Sequence, residues 1–273
     1  MTNDMVERCR EALEFPDAAC QKLYEQAKSR QWRIDIDIDW HEIDLRQLPA
    51  SIRGAMATVY SQVRFAEMFE LVHVAKLLGQ TDAVWARMIA ATQLADESRH
   101  VEFFSRTIAS LDMDANPSQN LVAFSQALDG ATSAEEGFLG SQIILESFAH
   151  AIFQNAARLA SRARASTVKL PGSMAAVRFV DSMTKFIGGD EARHVAFGVL
   201  YLKQRWPALS LAQRENMQQC AQRWSAMLDA VLVEVSPALA VLGLRGSELI
   251  ALAAQTRRRH FAAIGLEPDI GAT

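Results

Sequence analysis

The chain has 273 residues, half of them hydrophobic, which is enough to bury the core of one large domain or two small ones. Its 28 Lys and Arg against 32 Asp and Glu leave a formal charge of −4, which argues against a generally basic nucleic-acid or membrane surface. Seven prolines, 13 glycines and no low-complexity tract exclude disordered and collagen-like classes, and no run of about 18 apolar residues offers a membrane span. The opening MTNDMVERCREALEF is charged throughout and lacks the apolar core of a secretion signal. Cys9, Cys20 and Cys220 are scattered, with no CxxC spacing, so a reducing cytoplasmic setting is expected.

Good helix formers dominate, and apolar residues recur three and four apart over long windows. A first helix is predicted from about Asp4 to Ser29, bent or interrupted near Pro16. The following WRIDIDIDWHEIDLRQLP alternates Ile and Asp as a strand would, but with no second strand in view it reads as an extended arm over a helical body. A long helix follows from about Ala50 to Leu78, with Gly79 at its end and Thr81 or Asp82 as the next N-cap. The next runs from about Asp82 to Leu111, and a short one covers about Gln119 to Leu128. A third long helix spans about Ser133 to Arg162, a loop covers Arg164–Gly172, and a fourth runs from Ser173 to Trp206, where Pro207 stops it. Shorter helices with breaks at Pro237 and Gly243–Gly246 finish the chain. No linker divides it, so one all-α bundle domain over 1–273 is expected, with an N-terminal helix and arm (1–49), a core (50–206) and C-terminal helices (207–273).

An internal repeat carries the chemistry. Residues 96–104 read DESRHVEFF and residues 190–198 read DEARHVAFG, with six of nine positions matching. Each copy lies within a predicted long helix. Glu97 and His100 share a helix face, as do Glu191 and His194, and each pair offers one oxygen and one nitrogen to a metal. Two such pairs facing across a bundle can hold two metals. The partner helices supply further acids at matching heights: Glu67 lies 12 residues before Gly79 and Glu97 lies 15 beyond Asp82. Glu146 lies 17 before Ala163 and Glu191 lies 17 beyond Met174, arms of about 25 Å at about 1.5 Å per residue. Glu146 sits in the apolar run SQIILESFAHAIF, where an acid needs a partner. Glu70, one turn beyond Glu67, is the rival ligand.

On these residues the chain resembles the ferritin-like di-iron carboxylate proteins, over about Ala50 to Trp206. The resemblance implies a ferritin-like four-helix bundle with Glu67, Glu97, His100, Glu146, Glu191 and His194 as the six ligands. It also implies that Asp190 orients His100, that Asp96 orients His194, and that Arg99 and Arg193 balance the buried acids. The doubled Asp-Glu-x-Arg-His is most similar to the hydroxylase subunits of bacterial multicomponent monooxygenases and related oxygenases. The p-aminobenzoate N-oxygenases carry an extra His where this chain has Ile187; His150, one turn after Glu146, is a candidate equivalent, as a further ligand or a proton donor, beside the alternative of a core histidine.

Four carboxylates and two histidines suit iron or manganese better than copper. The implied function is an oxygenase that uses two iron ions, with manganese as an option at one site, and O2 as cosubstrate. It would hydroxylate carbon or oxidise an amine nitrogen of a small metabolite, free or carrier-linked. The chain has no flavin or nicotinamide fingerprint and no iron–sulfur cysteines, so electrons come from outside, from a ferredoxin, a reductase or the substrate. A homodimer fits such bundles, and neither DNA nor membrane is expected as a partner.

Three alternatives compete. One is a ribonucleotide reductase small subunit, although Phe104 stands where most of those carry a radical-bearing Tyr and Glu67 where they carry Asp. A subgroup with Phe there uses a manganese–iron pair. The others are a ferroxidase or iron-storage protein, and a tRNA hydroxylase, which the net charge disfavours. His41 and His73 read as structural or surface residues, and His260 as part of a basic helix end. Arg257, Arg258 and Arg259 read as a solvated face, with attraction of an anionic substrate or carrier as the alternative. Phe103, Phe104, Phe138, Phe148 and Phe197 are core residues or the lining of a substrate channel.

Overall fold

The computed structural model describes residues 14–167 and 171–267. Among them all regular structure is helical: α1 (Ala18–Ser29), α2 (Ala50–Gln80), α3 (Val84–Leu111), α4 (Gln119–Asp129), α5 (Ala134–Phe138), a π-helical segment (Leu139–Leu145), α6 (Glu146–Ala165), α7 (Ser173–Arg205), α8 (Leu211–Glu234), α9 (Ser236–Val241) and α10 (Gly246–Ile264). The part of the predicted first helix before residue 14, and Cys9, lie outside the described residues.

The bundle is two antiparallel hairpins. In the first, α2 packs along α3; in the second, the π segment and α6 pack along α7; the hairpins meet through α3 and α7. The heights expected from the sequence survive with adjusted ends. Glu67 lies 13 residues before the end of α2 and Glu97 13 after the start of α3. Glu146 lies 19 before the end of α6 and Glu191 18 after the start of α7. Around this core, α1 covers α3 and α7, α8 covers α4 and the π segment, and α10 lies against α6 and α7.

Three details differ from the sequence reading. First, α2 runs on through Gly79 to Gln80, and the residue that caps α3 is Ala83, without a side-chain bond; Thr81 instead turns back, its Oγ1 donating to Leu77 O at 2.8 Å. Burial of Thr81 in the tight connection favours that local bond over the capping role. Second, the Ile-Asp arm is neither strand nor fully extended. Ile34 and Ile38 are buried while Ile36 is 63% exposed, because turns at 34–37 and short 3-10 turns at Trp40–Glu42 and Leu45–Gln47 fold the arm onto the bundle. Third, the predicted third long helix is interrupted by the π segment immediately before Glu146. There α7 approaches closely: a Cβ on Gly198 would lie 2.5 Å from Gln142 Cβ, so only glycine fits.

Candidate metal centre

The six expected ligands converge in the middle of the bundle, all buried. Two groups form, Glu67 with His100 and Glu191, and Glu97 with Glu146 and His194; within each, the ligand atoms lie within 4.8 Å of one another. Glu97 and Glu191 each reach both histidines. Glu97 places Oε2 3.3 Å from His100 Nδ1 and Oε1 3.2 Å from His194 Nδ1. Glu191 places Oε1 3.2 Å from His100 Nδ1 and Oε2 3.0 Å from His194 Nδ1. Glu67 and Glu146 each approach one ring only, His100 at 3.3 Å and His194 at 3.5 Å. Two carboxylates thus stand between the groups and one stands at each end.

The far side of each imidazole is held crosswise. His100 Nε2 lies 3.3 Å from Asp190 Oδ2, and His194 Nε2 lies 3.2 Å from Asp96 Oδ2. If each ring N–H is directed at an aspartate, both Nδ1 atoms are left with lone pairs facing inward, as ligation requires. Arg99 pairs with Asp96, and Arg193 bonds both Asp190 (2.5 Å) and Asp96 (3.1 Å). These two acids and two bases neutralise each other. Inside them remain four glutamates and two imidazoles, a set that is balanced when two divalent cations are present and the rings are neutral.

The donor set therefore fits a pair of metal ions. Glu97 Oε2, fully buried, has no hydrogen-bond partner, as a ligand atom would not. Without cations the centre must hold protons instead. Burial, aided by the charge of Glu191, pushes Glu67 up to about 8 and Glu146 well above the usual carboxylate range. His100 and His194 are pushed well up by the surrounding carboxylates against the opposing effect of burial. Glu191, between the two rings, is held well below its ordinary value although burial opposes it. Asp190 is held at about 2: burial would raise it, but His100, Arg193 and the Trp32 indole outweigh that.

Several supports were not legible in the sequence. Trp32, from the arm, donates its indole N–H to Asp190 Oδ2 at 2.8 Å. The π segment supplies two more: Gln142 donates to Gln93 (3.1 Å), which donates to Glu97 Oε1 (3.0 Å), and Ser141 donates to Glu70. Glu70 lies outside both ligand groups; burial, then the charge of Glu97, pushes it well above the usual carboxylate range. The Gln93–Glu97 spacing of one helical turn was the only signal in the sequence for any of these.

His150 stands off the ligand groups, with Nε2 2.5 Å from the side-chain nitrogen of Gln154. It lines a cavity of about 450 Å³ that also touches Glu146, Glu191, Thr256, Arg259 and His260. His260, expected only at a basic helix end, faces inward, its Nδ1 3.3 Å from Ser147 Oγ. Arg257 is not solvated: it is fully buried, and its Nη2 alone donates to Asp229, 2.8 Å from both oxygens. The five phenylalanines are core, not channel, at this cavity. Phe103 and Phe104 pack with Phe179 and Phe153, Phe138 and Phe197 with Tyr201, Phe148 is buried, and none lines it. His73 is buried, which holds it down at about 4, while His41 is exposed on a 3-10 turn.

No family model and no curated protein matches the sequence. Solved structures do. A single-residue variant of an R2-like ligand-binding oxidase with anaerobically reconstituted Mn/Fe cofactor is 18% identical, at a TM-score of 0.65, covering 92% of this chain and 94% of that one. Another variant of such an oxidase, with a non-activated Mn/Mn cofactor, is 18% identical at a TM-score of 0.62, covering 92% and 94%. The dimanganese(II)-NrdF of Streptococcus sanguinis is 13% identical at a TM-score of 0.73, covering 93% and 91%. The chain has the ferritin-like helical-bundle fold of these proteins.

Proposed function

We propose that the chain is an O2-dependent di-metal oxygenase acting on a small metabolite, with Glu67, Glu97, His100, Glu146, Glu191 and His194 as its ligands. The observation that carries the reading is the pair of buried glutamates spanning both histidines, beside a cavity that opens on Glu146 and Glu191. Two irons, or iron with manganese, would supply oxygen activation there.

The chain's own residues do the rest. Asp190 and Asp96 fix the imidazole tautomers, and Arg99 and Arg193 pair with those aspartates. Phe103 and Phe104 of α3 pack with each other and with Phe153 of α6 in the buried core, one turn beyond His100. On the cavity side, the Gln154 amide donates into His150 Nε2, which places the neutral ring's proton on Nδ1, available to a substrate. Insertion of one oxygen atom into C–H or N–H leaves the other as water and consumes two electrons and two protons from an outside donor. With no flavin, nicotinamide or iron–sulfur motif in the sequence, a ferredoxin or reductase is the proposed donor.

The test is anaerobic loading with ferrous iron, metal counting, and oxygen exposure followed by stopped-flow absorbance. Two irons per chain and a transient band whose decay is accelerated by amine or aromatic-acid substrates support the reading. Oxidation to a mineral without a discrete band means ferroxidase, and no stoichiometric metal removes the proposal. The likeness to NrdF favours one second reading, a ribonucleotide reductase small-subunit-like protein. Phe104, buried and stacked on Tyr60, occupies the position where the resemblance expects a radical tyrosine. A stable organic radical by electron paramagnetic resonance after oxygen exposure would favour that second reading.

A further inference from the structure

Two sizeable cavities flank the second hairpin. One of about 400 Å³ is apolar, lined by residues such as Met56, Tyr60, Ile152 and Val177, and touches no member of the metal centre. The other, about 450 Å³, has Glu146 and Glu191 in its wall, so whatever occupies it stands beside the two groups. Its opposite wall is α10, which contributes Thr256, Arg259 and His260.

Three consecutive arginines on α10 part company. Arg257 is buried against Asp229. Arg258 and Arg259 are both exposed, and Arg258 does not line the cavity. Arg259 lines it, steadied by a bond from Nη2 to Thr256 Oγ1 at 3.3 Å, and no carboxylate of the described residues pairs with it. Elsewhere at the bundle's centre every arginine is matched by acid: Arg99 and Arg193 by Asp96 and Asp190. The acids in the cavity wall are those whose charge a pair of cations would neutralise. That leaves one uncompensated positive group, a planar fork suited to an oxyanion. Beside it stand the rings of His150 and His260, both pushed below the ordinary imidazole range by burial and by the Arg259 charge, and both able to hydrogen-bond a ligand.

We propose that this cavity is the substrate site and that Arg259 anchors a singly charged carboxylate at its outer end, leaving the oxidisable atom of a small organic acid against Glu146 and Glu191. The assignment rests on the oxygenase reading for its chemistry, but not for its binding. One unpaired guanidinium matches a monoanion, and a cavity of this volume matches a molecule of one ring or a short chain.

The probe is 4-fluorobenzoate, titrated anaerobically into the full-length iron-loaded protein by calorimetry. Fluorine NMR of the same samples reads proximity to the iron as enhanced relaxation. The expected result is saturable one-site binding with enhanced relaxation. Affinity should fall at least about tenfold in Arg259→Gln, the loss of a charge-assisted bond, fall less in Arg259→Lys, which keeps the charge and loses the fork, and change little in Arg258→Gln. 4-Fluorobenzamide should bind at least about tenfold more weakly than the acid. Equal affinity in Arg259→Gln would mean that the carboxylate docks elsewhere, on the metals included, and overturns the proposal. So would the absence of saturable binding, equal binding of the amide, or tighter binding of 4-fluorophenyl phosphate. Thermal melting of each variant, unchanged from the parent, keeps a folding defect from imitating the result; if Arg259→Gln melts early, Arg259→Lys against Arg259→Met decides the matter. Oxygen uptake measured on the same preparation separates the two failures. Binding without oxygen reactivity refutes the oxygenase reading and leaves the anion site. Oxygen reactivity without Arg259-dependent binding refutes the site alone.

Discussion

Helices α3 and α7 present the same Asp-Glu-x-Arg-His to the centre, and within the bundle the two copies act alike. Each glutamate spans both rings, and each aspartate holds the other copy's histidine. Around them the two hairpins diverge. On the first, the connection between α2 and α3 is only three residues long. The arm before it crosses to α7 of the second hairpin, where Trp32 bonds Asp190 and packs at a tilt against Phe186. On the second, a π segment precedes Glu146, and a cavity walled by α10 reaches Glu146 and Glu191. The duplication governs what is bound, while the divergence governs from which side it is reached.

The comparison breaks most sharply at the ligands. Glu97→Ala or Glu191→Ala removes a group shared by both sites and is expected to abolish stoichiometric loading, as counted by inductively coupled plasma mass spectrometry. Glu67→Ala and Glu146→Ala each remove an end ligand and should leave about half of the parent's metal content, one site each. If shared and end variants lose the same amount, the bridging assignment is wrong.

The crosswise aspartates come next. Asp96→Asn and Asp190→Asn should each weaken metal affinity by about 10–100-fold in competitive chelator titrations, and by similar factors if the two copies are equivalent. A difference beyond about tenfold would place the asymmetry inside the centre, not around it.

Acidity offers a third test. Glu67 is held up at about 8 and both histidines well above their ordinary range, so the metal-free folded chain binds protons that the unfolded chain releases. For these groups stability is present at low pH and is lost as pH rises from the unfolded carboxylate value toward and beyond 8. Glu191 acts oppositely, but its gain is complete above the ordinary carboxylate range and is lost only below it, outside this window. The melting temperature of metal-free protein should therefore fall between about pH 6 and pH 8.5, and metal loading, which expels those protons, should flatten the slope. A rising melting temperature over that window would contradict the protonated centre.

The smallest expected effect is the most local. His150→Ala should leave metal content unchanged and lower turnover of an accepted substrate severalfold, because the ring stands on the cavity and off the ligand groups. Unchanged turnover would reduce His150 to a wall residue.

The six converging residues were legible because the motif occurs twice and because equal helical arms bring residues to one height, whatever the caps do. Misplacing the start of α3 by a residue or two did not move Glu97 out of level with Glu67. Trp32 and the inward face of His260 were illegible for the opposite reason, and Arg259 was legible only as one of three arginines that could attract an anion. They come from an arm and a terminal helix whose register against the bundle depends on packing, not on any local period. The alternation of Ile34, Ile36 and Ile38 was legible as an arm over the bundle, with Ile34 and Ile38 inward, but not the turns that fold the arm instead of leaving it extended.

The π segment makes the second hairpin a matter of counting as well as of identity. Seven residues, Leu139–Leu145, carry the wider winding directly into Glu146, with Ser141 and Gln142 aimed at Glu70 and Gln93. A π segment holds one residue more than α winding over the same span, so deleting one position there is absorbed by rewinding to an α-helix. Glu146 and α6 would keep their places, while Ser141 and Gln142 would lose their aim at Glu70 and Gln93. A single-residue deletion within 139–145 should therefore leave the metal content of the chain close to the parent's, and its cost should fall on the polar side chains that back the ligands.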